Sequence, residues 1–173
     1  MVKIGHDRGW KRPEPARSGE TDETGGVRAV IQRVTRASVS VDGEVVGAIG
    51  PGLCVLVGVT HGDDPVSARK MAAKIAGLRL FEDPDGRMGV SVDEVGAGRA
   101  VLVISQFTLY GDTSKGRRPS WIAAAPGDVA EPLVDEVVAE LRQLDIEVAT
   151  GRFGADMAVE ILNDGPVTVI VET

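Results

Sequence analysis

Histidine and cysteine, the side chains that most often carry hydrolytic chemistry, are almost missing from this sequence of 173 residues. The chain has two histidines, His6 and His61, and one cysteine, Cys54. A Ser-His-Asp or Cys-His system would have to use His61, but the segment VGVTHGDDP is typical of a strand end, a loop and a helix cap. Cys54 lies in the apolar run LCVLV, where a thiol behaves as a small hydrophobe. The residues therefore predict a structural role for His61, and an enzyme built from this chain must work without the usual side chains.

Metal-binding and phosphate-binding patterns are absent from the sequence as well. Histidine, cysteine and carboxylates do not cluster at metal-ligand spacing. Gly50-Pro51-Gly52 and Gly96-Ala97-Gly98 are typical of turns, and no GxxxxGK[ST] phosphate loop occurs. We therefore expect neither a metal nor a cofactor.

The stretch SQFTLYGDTSKGRRPSW, residues 105–121, is the first that could bind a ligand. Ser105, Gln106 and Thr108 stand where a buried strand opens into a loop, which is a common place for a binding pocket. Three basic residues follow among aromatic ones, a combination that suits the phosphates and bases of a single-stranded nucleic-acid end: Lys115, Arg117 and Arg118. The alternative is a strand end followed by a charged solvent loop, and composition alone does not separate the two.

The second unusual stretch is Asn163-Asp164-Gly165-Pro166, between two β-rich runs. On the residues alone, an ordinary hairpin turn is the favoured interpretation. The alternative is a cis Gly165-Pro166 bond, which about 5–6% of X–Pro bonds adopt in folded proteins. Such a bond would hold two carbonyl oxygens side by side. A rigid backbone element of this kind could select a ligand by steric exclusion, without any side chain.

The elements that must position these residues alternate between strands and helices. Apolar periodicity and turn signals predict strands at 28–41, 44–49, 53–59, 100–105, 147–150, 157–162 and 167–172, and a hairpin turning on Pro84-Asp85-Gly86. They also predict one helix from Pro65 to Gly77 capped by Asp63 or Asp64, one capped by Asp128 that runs to Leu144, and an irregular stretch from 106 to 120. Tight turns between adjacent strands favour antiparallel pairing. The predicted fold class is therefore α+β, with mixed, largely antiparallel sheet layers and two amphipathic helices.

Composition and charge further restrict the class of protein. The chain is 43% hydrophobic with a formal net charge of −7, and it has no run of about 18 apolar residues. Residues 1–26 show no apolar period, and their five basic residues balance five acidic ones, so the whole −7 falls on residues 27–173. We expect a disordered or non-family extension at 1–26, with a basic arm that reaches for RNA as the alternative, and one cytoplasmic domain at 27–173 without a membrane segment. The acidic balance disfavours a broad nucleic-acid surface but allows a local basic contact.

Taken together, these motifs identify the body as similar to a known family. RAVIQRV at the start, SQFTLYGD, KGRRPSW and NDGPVT resemble the D-aminoacyl-tRNA deacylases, first described for D-tyrosyl-tRNA, over residues 27–173. Val27 aligns with the usual initiator of that family. Two positions depart from its pattern: Gly89 stands where the family usually has Asn, so that a contact at the pocket edge is lost or replaced, and Trp121 stands where it usually has Phe.

The resemblance implies a homodimer that hydrolyses the ester between a D-amino acid, or glycine mischarged on tRNA(Ala), and the terminal ribose of tRNA, while it spares L-aminoacyl-tRNA. It implies that the pocket is lined by the catalytic residues Ser105, Gln106, Phe107 and Thr108. Gln106 would meet the terminal ribose, the N–H groups near Phe107 and Thr108 would form an oxyanion hole, and Thr108 is the side chain once proposed as nucleophile. Asn163, Gly165 and Pro166 would enter the partner subunit's pocket as a chiral filter, and Lys115, Arg117 and Arg118 would contact the tRNA acceptor end.

The near-absence of histidine agrees with this chemistry, because an aminoacyl ester is labile and a ribose hydroxyl can assist its hydrolysis without a protein base. Two other hypotheses stay open at this point. One is a non-catalytic module that binds the aminoacyl-tRNA end, and the other is an ordinary esterase that uses Ser105 or Thr108 with His61.

Overall fold

The computed structural model describes residues 26–94, 98–114 and 116–173. The predicted extension at residues 1–26 lies outside these ranges except for Gly26. The described ranges hold strands β1 (Arg28–Val41), β2 (Glu44–Ile49), β3 (Gly52–Gly58), β4 (Phe81–Glu82), β5 (Met88–Val90), β6 (Ala100–Ser105), β7 (Glu147–Thr150) and β8 (Ala158–Glu172), with helices α1 (Pro65–Gly77) and α2 (Gly127–Gln143) and a 3₁₀-helix at Phe107–Tyr110.

Strand β1 organises the main sheet. Its first half pairs with β3 and its second half with β2, and its other edge pairs with β8 over almost its whole length, all antiparallel. The turn between β1 and β2 has positive φ at both Asp42 (52°) and Gly43 (82°). These are the angles that a two-residue hairpin needs, as the Asp-Gly signal predicts.

Parallel pairing on the other side of β3 was not anticipated from the tight turns. β3 pairs with β6 and β6 with β7, both parallel, which gives the order β2-β1-β3-β6-β7 with β8 on β1. The crossovers contain α1 and α2, because parallel neighbours need long connections that usually carry a helix. The sheet nearly closes: a Cβ on Gly47 of β2 would lie 2.4 Å from the Thr150 carbonyl oxygen of β7. The fold is thus mixed α+β, as predicted.

The two faces of the sheet bury two apolar clusters. Both helices pack on one face, with Met71, Ile75 and Leu141 fully buried against Leu53 and Val101. The other face forms a smaller cluster inside the curved sheet, around Cys54, Leu102 and Ile104.

Three local predictions were wrong in detail. Helix α2 begins after Pro126, and Asp128 lies in its first turn instead of capping it. The stretch from 106 to 120 is not wholly irregular, because it opens with the 3₁₀-helix. The C-terminal runs are not two strands joined by a hairpin turn at 163–166, since both belong to β8 and both pair with β1. Asp64, one of the two predicted caps of α1, does accept the Ser67 N–H at 2.8 Å.

None of the helices in the described ranges is long and apolar enough to cross a membrane.

Candidate active site

A cleft of about 500 Å³ opens at the carboxyl ends of the parallel strands. Val57 in β3 and Val59 just after it line the cleft, and so do Ile104 and Ser105 at the end of β6. The opposite wall comes from the start of α2 and from the segment that follows β7. Ligand sites of α/β sheets are commonly found at this edge, where the loops after parallel strands converge. The topology therefore places one pocket beside the SQFTL motif.

Ser105 and Gln106 form the floor of the cleft where β6 ends. Ser105 is the last residue of the β3–β6 ladder, paired with Val57, and the Gln106 N–H donates to the Val57 carbonyl at 2.7 Å. Both residues are half-buried. The polar motif is thus fixed by backbone bonds to a buried strand, which holds it in place at the cleft.

The chain turns into the 3₁₀-helix directly after this floor. Phe107 and Thr108 are its first two residues, so their N–H groups have no acceptor within the helix. Phe107 lines the cleft and is 56% exposed. Thr108 is exposed but is not a lining residue, and its hydroxyl accepts a hydrogen bond from the Gln106 side-chain amide. Two backbone donors therefore stand beside the cleft floor.

Two other wall segments were missed by sequence reasoning. One is the entry to α2, with Ala125, Gly127 and Ala130, and the other follows β7, from Phe153 to Val159. Asp156 is the charged residue among those that line the cleft, within the described part of the chain. The signal that would have found both segments is parallel pairing of β6 with β7, because it brings the loop after β7 to the same sheet edge.

The basic loop lies outside the lining of the cleft. Arg117 and Arg118 are exposed and do not line it, and Lys115 lies outside the described residues. The end of this loop returns to the site, because the Trp121 ring packs edge-on against Phe107 with centroids 5.6 Å apart. Gly89 belongs to the separate β4–β5 hairpin and does not line the cleft, and a Cβ built on it would lie 3.2 Å from Asp83 Oδ2.

Residues 163–168 form a bulge in β8. Asn163 pairs with Val34 and Thr168 with Gln32, so four residues of β8 stand opposite Arg33 alone. The Asn163 side-chain amide donates to the Arg33 carbonyl at 2.8 Å and to the Val167 carbonyl at 3.1 Å. The Gly165-Pro166 bond is cis, which matches the second of the two sequence interpretations. Gly165 and Pro166 are exposed and do not line the cleft of their own chain.

His61 and Cys54 stand apart from this chemistry. The His61 Nε2 atom lies 2.8 Å from the Ile122 carbonyl oxygen, in a contact that ties the loop after β3 to the segment after the basic loop. Cys54 is 1% exposed, and burial raises the pKa of its thiol to about 11. Within the described ranges, no three His, Cys, Asp or Glu residues are grouped so that they could hold a metal ion. Besides the Asp156 carboxylate, the cleft lining offers a reacting carbonyl a side-chain amide, a hydroxyl and nearby backbone N–H groups, which hydrolases use to stabilise the oxyanion of an activated ester.

Comparison with known proteins identifies the family. The model of the D-Tyr-tRNA(Tyr) deacylase family matches residues 30–172. A D-aminoacyl-tRNA deacylase from Streptomyces coelicolor is 62% identical over 147 residues, which cover 84% of this chain and 99% of that one. One from Heliobacterium modesticaldum is 61% identical over 146 residues, covering 84% and 96%. The chain belongs to the D-Tyr-tRNA(Tyr) deacylase family and is a hydrolase that acts on ester bonds.

Two solved structures share the fold. One is described as c-Myc DNA unwinding element binding protein, with a TM-score of 0.78 and 41% identity over 84% of this chain and 98% of that one. The other is a probable eukaryotic D-amino acid tRNA deacylase, with a TM-score of 0.74 and coverage of 85% and 99%. At 17% identity the second shows the fold alone.

Proposed function

We propose that the protein hydrolyses the ester of D-aminoacyl-tRNA, and of glycine mischarged on tRNA(Ala), and that it rejects L-aminoacyl-tRNA. The observation that carries the proposal is that Ser105, Gln106 and Phe107 line a cleft, with Thr108 directly after them, in a member of this deacylase family. The products are the free amino acid and tRNA.

The proposed chemistry needs no side-chain base. Water adds to the ester carbonyl carbon, and the N–H groups of Phe107 and Thr108 stabilise the oxyanion that forms. One such donor is worth about 10²–10³ in rate. The Gln106 amide holds the terminal ribose, whose neighbouring hydroxyl orients the water, and the ribose oxygen leaves with a proton. This assignment is supported by the two N–H groups without an acceptor in the 3₁₀-helix and by the position of Gln106 at the end of β6.

The chiral filter is proposed to come from a second copy of the chain. Gly165 and Pro166 are exposed on β8, outside their own cleft. β8 is 15 residues long and pairs only with β1 within the described ranges, and Leu162 and Ile170 on it are 49% and 71% exposed. A long exposed edge strand with apolar side chains is normally covered. A homodimer that covers β8 would bring Gly165-Pro166 of one protomer to the cleft of its partner, where a rigid backbone rejects a β-carbon of one hand.

The tRNA contact is proposed to be small. The chain carries a net charge of −7, so an extended basic surface is not expected. The exposed Arg117 and Arg118, with Lys115, would meet phosphates of the acceptor end, and Trp121 and Phe107 offer aromatic surface beside them.

The test is release of amino acid from D-Tyr-tRNA, Gly-tRNA(Ala), D-Asp-tRNA and L-Tyr-tRNA by the purified protein. We expect turnover of the D and glycyl esters and no acceleration for the L ester. No release from any D or glycyl ester would refute the deacylase assignment. Salt-sensitive binding of aminoacyl-tRNA without turnover would instead support the non-catalytic binding module. Accelerated hydrolysis of L-Tyr-tRNA would refute the filter alone.

A further inference from the structure

A buried carboxylate beside the start of β1 lacks a partner for one oxygen. Asp63, before α1, is 9% exposed. Its Oδ2 accepts the Thr60 N–H at 2.7 Å, while its Oδ1 is buried and accepts no hydrogen bond. Burial, and to a lesser degree the neighbouring Asp64 carboxylate, raises the pKa of Asp63. A buried carboxylate with a free oxygen is costly unless a donor or a cation completes it.

The group that faces this carboxylate is the backbone nitrogen of Val27. Its N–H lies close enough to lower the pKa of Asp63, and the Oδ1 atom has no hydrogen-bond partner. Val27 is fully buried, and its carbonyl accepts the Thr173 N–H at 3.2 Å. The backbone nitrogen of Val27 therefore lies near a buried carboxylate whose Oδ1 has no hydrogen-bond partner.

The position before Val27 is crowded. A Cβ on Gly26 would lie 1.5 Å from the Thr173 carbonyl oxygen, so a residue with a side chain does not fit there without a shift. The Gly26 carbonyl accepts a hydrogen bond from the Tyr110 hydroxyl. The fold thus leaves room at this point for glycine or for no residue.

A free amino group at Val27 would complete the site. A peptide nitrogen supplies one neutral donor, whereas an ammonium at the same atom supplies three donors and a positive charge. Residues 27–173 also have the length of the complete relatives described above, so a chain of that extent is expected to fold by itself.

We propose that the Asp63 carboxylate is a binding site for a free α-ammonium group on residue 27, and that the form of the protein whose chain begins at this residue is the more stable one. The other charged and titratable groups in this region are Asp64, Arg28, Tyr110, Glu172 and Lys74. Arg28 pairs with Glu172 at 2.5 Å and stacks on Tyr110, and Lys74 donates to the Glu172 carbonyl, so both cations are engaged elsewhere. Asp63 therefore remains the acceptor available to an α-ammonium group on residue 27.

The experiment compares chains 1–173, 26–173 and 27–173, the last released from a fusion so that Val27 is its first residue. The 26–173 chain is the matched control, because it moves the ammonium by one residue and keeps every side chain of the fold. We expect the Tm of the 27–173 chain to exceed that of the 26–173 chain by about 5 °C at pH 6–7. Asp63→Asn should abolish the difference, because Asn still accepts the Thr60 N–H but carries no charge.

A second measurement follows the α-ammonium directly. Its pKa, from the pH dependence of its ¹⁵N shift in the 27–173 chain, should lie above the ordinary value of about 7.7–8.0. The added stability should be present below that range and be lost as pH rises through the raised pKa. If Asp63→Asn prevents folding, Nα-acetylation of the 27–173 chain removes the same charge. An ordinary pKa, or a Tm difference that survives Asp63→Asn or acetylation, would overturn the proposal.

Discussion

The Arg33 Nε atom lies 3.0 Å from Asp164 Oδ2, so that a buried cation on β1 holds the bulge of β8. Arg33 is 7% exposed, and its Nη1 also donates to the Leu80 carbonyl at 2.6 Å. The Nε contact is an ion pair without hydrogen-bond geometry. The direction of Gly165-Pro166 therefore depends on one arginine that also fixes the segment before β4.

Replacing Arg33 by Ala should loosen the bulge and lower stability. A buried ion pair costs several kcal/mol to break, but the Asp164 side chain is 44% exposed and can be hydrated, so we expect a loss of about 1–3 kcal/mol. The measurement is urea unfolding, together with hydrolysis rates for D- and L-Tyr-tRNA. Arg36→Ala, at an exposed position of the same strand, is the control. Equal stability and equal selectivity of the two variants would contradict this role.

Gly165→Ala should impair chiral selection more than it impairs folding. Gly165 has φ of +122°, and a Cβ there would lie 2.8 Å from Val167 Cγ2 and 2.9 Å from Arg33 Nη2. The backbone must shift, so the ratio of D- to L-Tyr-tRNA hydrolysis should fall by about tenfold or more. Gly50→Ala is the matched control, because a Cβ there meets nothing within 4 Å and its φ is ordinary. An unchanged ratio for Gly165→Ala would argue against the filter.

Thr108→Ala should reduce single-turnover hydrolysis only modestly. The Thr108 hydroxyl accepts a hydrogen bond from Gln106, so its loss frees the amide that we assign to the ribose, and we expect a drop of about tenfold. A nucleophilic threonine would instead cost on the order of 10³-fold or more. The single-turnover rate on D-Tyr-tRNA at saturating enzyme decides between the two roles.

His61→Ala should leave the chemical step unchanged, within about threefold. The ring contacts the Ile122 carbonyl, so its removal affects the stability of the loop contact and not a proton transfer. Loss of activity in a variant that folds, as judged by circular dichroism, would favour the ordinary esterase that uses Ser105 or Thr108.

The stability of the protein should fall between pH 9 and 11 through Cys54. Burial raises the pKa of the thiol from 9.0 to about 11, so the unfolded chain loses its proton first and stability declines as pH rises through this window. Two pKa units correspond to roughly 2–3 kcal/mol. Cys54→Ala should show a shallower decline. Burial also raises the pKa of Tyr110. Because the wild type and the Cys54→Ala variant both contain Tyr110, the difference between their pH profiles of stability reports on Cys54. Parallel pH profiles would contradict the prediction.

Local chemistry made much of the fold predictable from the sequence. Asp42-Gly43 and the Asp64-Pro65 helix start are each decided by backbone angles or a cap within a few residues. The SQFTL motif was also recognisable, because polar residues follow an apolar strand there.

Pairing between distant segments could not be predicted from the sequence in the same way. Asn163-Asp164-Gly165-Pro166 has the composition of a hairpin turn, and a β-bulge uses the same residue types, so only pairing with β1 separates the two. The segment after β7 reaches the cleft because β7 pairs in parallel with β6. No local residue pattern in Phe153–Met157 indicates this pairing.

The pairing of β1 with β8 also has a consequence for the order of folding. Arg28 and Glu172 are partners 144 residues apart. At about 5–20 residues per second, the ribosome needs roughly 7–30 s to make the residues between them. β3, β6 and α1 can associate earlier because their contacts are closer in sequence. The floor of the cleft can therefore assemble on the nascent chain, while the bulge that we propose as the chiral filter waits for the C-terminus to be released.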